Sequence, residues 1–163
     1  MGLALVTELQ ARSVLRDGSL TIDSHMNVTK GWVSEIVNSL RDIGLAVDTY
    51  DEALLLSRCA KDASFDFGDR FNGSPKDFMA FLLSARPNTI AMSHLISGVD
   101  VEFENGFKAL SRATVTAKIV RSIGESTQNR AVTGRYEDEW SRNNDEWLLS
   151  ARRYCQVEEH IED

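Results

Sequence analysis

Four segments in the second half of the chain alternate between apolar and polar residues, and this pattern constrains the fold more than any other feature. In the first, Ala91–Phe103, the apolar residues Val99, Val101 and Phe103 alternate with acidic ones. The other three are Phe107–Ile123, Ala131–Ser141 and Glu146–Val157. A period of two with β-branched residues is typical of strands that have one buried and one solvated face. We therefore predict four long antiparallel strands.

His94 lies in the first of these strands, but with the opposite parity to Val99. Both residues face the interior only if the strand contains a one-residue bulge, and Ser97-Gly98 is the natural place for it. A histidine that points into an apolar interior needs a hydrogen-bond partner, because an unpaired buried polar group costs stability. The sequence therefore predicts a partner for His94 elsewhere in the chain.

The first half of the chain has helical periodicity. An apolar stripe about four turns long runs from Trp32 to Val47. Asp48 follows at the C-terminal end of that helix, where the helix dipole disfavours a carboxylate unless another group holds it. A second, short helix is predicted over Tyr50–Ala60, with acidic residues in its first turn.

A short strand is predicted over Ala63–Phe67. Ser74 and Pro75 then open a third helix, with serine as N-cap and proline at the first helical position, and Arg86-Pro87 ends it. Helices followed by a meander of strands indicate an α+β fold. We expect a curved, mostly antiparallel sheet whose concave face is covered by three helices, so that the resulting cone encloses an apolar pocket.

The ends of the chain and the loops have weaker patterns. Residues 1–30 are assigned to an N-terminal extension, which could be a packed helix, a lid or a partly disordered arm. Within it, Leu20–Val28 is predicted to be a polar connector. Residues 31–163 form the cone domain. Gly124–Arg130 is predicted as a polar loop, and the acidic residues Glu158–Asp163 as a frayed tail.

Composition excludes several classes of partner. At 163 residues, with 42% hydrophobic and 26% charged residues, the chain is typical of one globular domain. A net charge of −7 argues against a nucleic-acid or anionic-membrane surface, since both require a basic patch. Cys59, in the predicted second helix, and Cys155 have no metal-ligand spacing, so we expect free thiols in a reducing compartment. No export signal or membrane-spanning segment is evident, which predicts a cytoplasmic protein.

Several stretches resemble the SnoaL-like branch of the nuclear-transport-factor-two-like superfamily. Val47-Asp48 at a helix end, followed by a short helix, is similar to the N-terminal half of that family, and His94 with the strand after it resembles the family's histidine strand. Gly134–Trp140, a turn and Trp147–Arg153 resemble its final hairpin. The branch includes polyketide cyclases, scytalone dehydratase, bile-acid dehydratase and hexachlorocyclohexane dehydrochlorinase. The resemblance implies the cone-shaped α+β fold.

The resemblance also implies candidate catalytic residues. In the dehydratase and dehydrochlorinase members a helix-end aspartate and a strand histidine form a buried pair, and those positions are Asp48 and His94 here. Arg152 lies where dehydrochlorinase-like members carry an arginine near the leaving group, although a solvated arginine on the outer face of the sheet is the alternative. The chain departs from the family at Ile43, where catalytic members carry a tyrosine or lysine, and in Thr114–Ile119, which lacks an extra histidine or aspartate.

Two functions remain open from the sequence. The first is an enzyme without cofactor or metal, a lyase, isomerase or cyclase in which His94 acts as general base on a small apolar or aromatic molecule. Asp48 would orient His94, and Arg152 or a pocket hydroxyl would stabilise negative charge. The second is a non-catalytic binding protein or structural subunit, similar to the small subunits of ring-hydroxylating dioxygenases. Both imply a homodimer or homotrimer formed through the exposed sheet face.

Overall fold

A computed structural model describes residues 22–162 of the chain. The helices of this part are α1 (Ile22–Thr49), α2 (Glu52–Ser57) and α3 (Pro75–Ala85), with single 3₁₀ turns at Gly68–Arg70 and Arg86–Asn88. The strands are β1 (Cys59–Asp66), β2 (Asn72–Gly73), β3 (Thr89–Phe103), β4 (Lys108–Ile123), β5 (Ser126–Asn143) and β6 (Glu146–Glu162). Helices precede the long strands, which confirms the α+β prediction.

The strands form one mixed sheet in the order β2-β1-β6-β5-β4-β3. β1 runs parallel to β6, whereas the other neighbouring strands are antiparallel. The three helices pack on the inner face of this sheet and leave it as a half-open cone. Trp32 of α1, Phe103 of β3 and Trp147 of β6 close one end, with ring centroids 5.4–5.6 Å apart. Within residues 22–162 no helix is both long enough and apolar enough to cross a membrane.

The bulge predicted in β3 is confirmed. His94 and Ile96 face the interior on one side of it, and Val99 and Val101 face the interior on the other. The register with β4 shifts between these two pairs, where Gly98 has a φ of +57°. Glycine adopts this left-handed conformation easily because it has no Cβ. Gly98 therefore allows both halves of the strand to bury their apolar side.

The two C-terminal hairpins are longer than predicted. Only Gly124 and Glu125 form the turn between β4 and β5, so the predicted polar loop Gly124–Arg130 is wrong from Ser126 onward. The acidic tail is not frayed up to Glu162, because its residues pair with the beginning of β5. The polar start of β5 and the polar end of β6 satisfy each other's backbone hydrogen bonds. The sequence of either segment alone does not reveal this pairing.

Two predictions for the first half are corrected. The helix α1 already begins at Ile22, so the predicted connector Leu20–Val28 is helical from that residue, and the boundary at residue 30 falls inside α1. The earlier part of the predicted extension lies outside the described residues. α2 is shorter than predicted, because Cys59 belongs to β1, where the backbone pairs with Leu149 of β6. Burial raises the pKa of the Cys59 thiol to about 12, so this thiol is neutral at ordinary pH.

The predicted N-cap of α3 is confirmed and forms a capping box. Ser74 Oγ accepts the backbone N–H of Asp77 at 3.1 Å, and the Asp77 carboxylate accepts the Ser74 hydroxyl at 2.7 Å and its backbone N–H at 3.4 Å. These hydrogen bonds from Ser74 hold the pKa of Asp77 below its ordinary value of 3.8.

Replacing Ser74 with alanine is expected to lower the melting temperature by roughly 2–4 °C at neutral pH, the usual effect of losing one helix cap. Since the pKa of Asp77 is lower in the folded than in the unfolded chain, the stabilisation by Asp77 is complete above its unfolded pKa and is lost as the pH falls. The difference between wild type and Ser74→Ala should therefore shrink in acid. Thermal unfolding followed by circular dichroism at about pH 7 and about pH 3 measures both effects. A difference that stays constant with pH would contradict the second.

Candidate functional site

The C-terminal end of α1 fixes the position of Asp48. The chain leaves the helix through Tyr50, whose φ of +57° is left-handed. The backbone N–H of Tyr50 donates to Val47 O at 3.3 Å, and that of Asp51 donates to Ala46 O at 2.8 Å. This is the Schellman pattern, which satisfies the last carbonyls of a helix and ends it sharply. Asp48 is therefore held in the last turn of α1, facing β3.

Asp48 and His94 meet through two hydrogen bonds. Asp48 Oδ1 lies 2.6 Å from His94 Nδ1, and Asp48 Oδ2 accepts the backbone N–H of His94 at 2.9 Å. The side chains are only 18% and 13% exposed, respectively. The two bonds offset the unfavourable position of a carboxylate at a helix C-terminus. Asp48 thus supplies the partner that the buried histidine required.

The contact with Asp48 also sets the tautomer of His94. A carboxylate can only accept hydrogen bonds, so Nδ1 carries a proton, and in the neutral ring Nε2 has a free lone pair. His94 lines a cavity, and within the described part of the chain Nε2 has no hydrogen-bond partner. An imidazole in this state can accept a proton at Nε2, and a carboxylate at Nδ1 stabilises the imidazolium that results.

The cavity has a volume of about 420 Å³, which lies within the range of small-molecule sites. Most of its wall is aromatic or aliphatic. The residues that line it include Val47, Tyr50, Phe65, Phe67, Phe71, Phe78, Phe81, Leu82, Met92, Val115, Ala117, Ile119, Val132, Tyr136 and Tyr154. Its polar side chains are basic or phenolic, except for the hydroxyl of Thr89. An apolar wall with a few polar groups suits a small, largely apolar ligand.

Arg152 faces the interior and lines the cavity, so the alternative of a solvated arginine on the outer face is wrong. Its Nε and Nη2 donate to the two carboxylate oxygens of Asp138 at 2.9 and 2.8 Å. The guanidinium also stacks on the ring of Tyr136, 3.7 Å from its centroid. Although burial favours the neutral form, the Asp138 carboxylate raises the pKa of Arg152 above its ordinary value. Arg153, in contrast, is 65% exposed on the other face.

A second bulge decides which arginine points inward. Glu139 pairs with Ala151 and Trp140 pairs with Leu149, so Ser150 is the extra residue of β6. The side chains of Leu149 and Arg152 consequently face the same side, although the two residues are an odd number of positions, three, apart. Without the bulge Arg153 would take the inner position.

The tyrosines of the cavity were not identified from the sequence. Tyr136 shares its parity on β5 with Val132 and Asp138, and this alternation was the signal that could have placed it inside. Burial raises the pKa of Tyr136 to about 12, so its phenol remains a hydrogen-bond donor at ordinary pH. The ring of Tyr154 covers Gly134, where an added Cβ would collide with it.

The two departures from the family pattern are visible in the structure. Ile43 is 1% exposed and belongs to the hydrophobic core, with no polar group to offer. Within the stretch Thr114–Ile119 of β4, the inward-facing residues are Val115, Ala117 and Ile119, all of them apolar. Asp48 and His94 are thus the acid–base pair that this wall of the cavity provides. Among residues 22–162, no three His, Cys, Asp or Glu side chains are grouped as a metal site requires.

Comparisons with known proteins agree with this architecture. The model of the SnoaL-like domain family matches residues 33–153. Comparison with curated proteins finds no significant match.

Among solved structures, a hexachlorocyclohexane dehydrochlorinase (LinA) type 2 is similar, with a TM-score of 0.73, 17% identity and coverage of 86% of this chain and 93% of that one. A protein from Novosphingobium aromaticivorans assigned as a scytalone dehydratase has a TM-score of 0.71, 16% identity and coverage of 84% and 90%. A nuclear transport factor 2-like protein from Salmonella enterica has a TM-score of 0.67, 17% identity and coverage of 80% and 94%. At these identities the likeness concerns the fold.

Proposed function

The chain belongs to the SnoaL-like domain family, and we propose that it is a cofactor-independent lyase, isomerase or cyclase in which His94 removes a proton from a small molecule in the cavity. The observation that carries the proposal is the 2.6 Å contact between Asp48 and His94 beside a cavity of about 420 Å³. An ionisable pair that is largely removed from solvent and faces a cavity is expensive to maintain for stability alone.

In the proposed reaction His94 Nε2 accepts a proton from carbon or from a bound water. Asp48 holds the ring in the correct tautomer and stabilises the positive charge that forms on it. The apolar wall excludes water, which strengthens these electrostatic interactions. A positioned base of this kind contributes about 10²–10⁴ to the rate.

The negative charge that develops on the substrate needs a donor. The Tyr136 phenol is neutral and lines the cavity, and Arg152 stacks on its ring. Because Asp138 already neutralises Arg152, we assign the direct donation to Tyr136 and a supporting electrostatic role to Arg152. Two structural relatives, a dehydrochlorinase and a protein assigned as a dehydratase, bear the names of elimination reactions. An elimination is accordingly the first reaction to test.

The proposal is tested in deuterium oxide with ligands that raise the melting temperature, chosen from small aromatic, terpenoid and polyketide-like compounds. We expect at least one bound ligand to undergo elimination, isomerisation or exchange of a carbon-bound proton, followed by nuclear magnetic resonance. Ligands that bind in the cavity without any of these changes would instead favour a non-catalytic binding protein or structural subunit.

We also propose that the protein self-associates as a dimer or trimer through the outer face of the sheet. Leu95 points to the side opposite His94 and is 66% exposed, next to Thr116 of β4. Leu95→Glu is expected to shift the oligomer to monomer in size-exclusion chromatography with light scattering, because a buried charge without a partner is costly. Leu45→Glu, at a leucine of α1 that is 53% exposed, is the control and should leave the mass unchanged. A monomeric wild type at high concentration would contradict the proposal.

A further inference from the structure

Besides Arg152, three arginines line the cavity, toward the hairpin of β4 and β5 and the 3₁₀ turn after β1. Arg121 lies near the end of β4, Arg130 near the beginning of β5, and Arg70 in the 3₁₀ turn after β1. Among the described residues that line the cavity there is no aspartate or glutamate. This end of the cavity is basic although the whole chain has a net charge of −7.

The register of the sheet gives the distance of these arginines from the proposed base. His94 is paired with Ala117 of β4, while Arg130 is paired with Ile119, two residues further along. Arg121 lies two residues beyond Ile119 on the same face of β4. At about 3.3 Å per residue, these positions lie roughly 7 and 13 Å along the strand from His94. A bound molecule of ordinary size can reach both His94 and the arginines.

The charges of the three arginines are not fully compensated. Glu159 of β6 pairs with Arg130, and its carboxylate lies 4.0 Å from Arg70. One carboxylate therefore serves two guanidinium groups, and the arginines lower its pKa. The side chain of Arg121 has neither an ion pair nor a hydrogen bond within residues 22–162, and its Nε is buried without a partner. A buried donor without a partner lowers the stability of the ligand-free protein, and an anionic acceptor in the cavity would satisfy it.

We propose that the ligand of this cavity carries an anionic group, a carboxylate or a similar oxyanion, on an apolar body, and that Arg121 binds this group. The anion lies at the arginine end, and the apolar body occupies the part lined by Phe71, Leu82 and Met92. This placement presents the opposite end of the ligand to His94. The inference refines the substrate class of the proposed function and rests on it for the role of His94, but the anion site can be tested separately.

The test uses pairs of compounds with the same aromatic body that differ only in charge, such as 2-naphthylacetate and 2-naphthylacetamide, or indole-3-acetate and its amide. In isothermal titration calorimetry, the dissociation constant of the acid should be about 10- to 100-fold lower than that of its amide, the usual effect of a charge-assisted hydrogen bond. Added salt should weaken the binding of the acid and leave the amide unaffected.

Arg121→Gln is expected to abolish the preference for the acid without weakening the amide. The matched control is Arg135→Gln, which removes the same charge from the exposed outer face of β5 and should leave the preference intact. His94→Ala should also retain it, so that a failure of the catalytic proposal and a failure of the anion site remain distinguishable. The inference is overturned if the amides bind as tightly as the acids, if Arg121→Gln retains the preference, or if none of the acids binds.

Discussion

Replacing His94 with alanine is expected to lower the rate of the proposed reaction by about 10²–10⁴, the usual contribution of a positioned general base. The variant removes the group that accepts the proton, while the apolar wall of the cavity remains in place. The measurement is the rate of exchange or elimination with a ligand that the wild type converts. Imidazole added to the variant should restore part of the rate, which a purely structural histidine would not explain.

Asp48→Asn should reduce the rate to a similar extent. An amide can donate toward His94 Nδ1, which would favour the wrong tautomer, and it cannot stabilise the imidazolium. His160→Ala is the control, because the side chain of His160 is 71% exposed and is not among the residues that line the cavity. A rate that falls equally in His160→Ala, or a His94→Ala variant as active as wild type, would refute the assignment of the base.

Replacing Arg152 with alanine is expected to lower the free energy of unfolding by about 3–5 kcal/mol. The Asp138 side chain is 1% exposed, and the two hydrogen bonds that its carboxylate accepts both come from the guanidinium of Arg152. Its removal leaves a buried carboxylate without compensation, which costs more than the lost contacts alone. Urea unfolding followed by tryptophan fluorescence measures the change.

The neighbouring residue offers a matched control. Arg153 is 65% exposed and lies 3.8 Å from Asp66, so Arg153→Ala should change stability by less than about 0.5 kcal/mol. The double variant Arg152→Met with Asp138→Leu should recover most of the loss, because replacing a whole buried pair by apolar residues is often neutral. Equal effects of Arg152→Ala and Arg153→Ala would contradict the burial of Arg152.

The sequence predicted those parts of the fold that depend on local pattern. The alternation in β3, together with Gly98, located the bulge, and Ser74-Pro75 located the start of α3. The parallel pairing of β1 with β6 was not predictable in this way, because residues 59 and 149 are far apart in the chain and no local signal announces their contact. The polar end of β6 was missed for the same reason.

The candidate site was predictable only in part. Asp48 and His94 were identified from a helix end, a strand parity and the family resemblance, and the structure brings them together. The partnership of Arg152 with Asp138 depends on the register between β5 and β6, which the extra residue Ser150 shifts. The basic end of the cavity was missed because Arg121 and Arg130 appear in the sequence as scattered charges, and only the hairpin places both on one face.

The bond from the His94 backbone N–H to Asp48 has a consequence for solubility. β3 is one of the two edge strands of the sheet, and edge strands expose backbone donors that can pair with a strand from another molecule. At His94 the helix carboxylate already occupies that donor. The aspartate that orients the ring therefore also removes one free donor of this edge strand, which disfavours the pairing of β3 with a strand from another molecule.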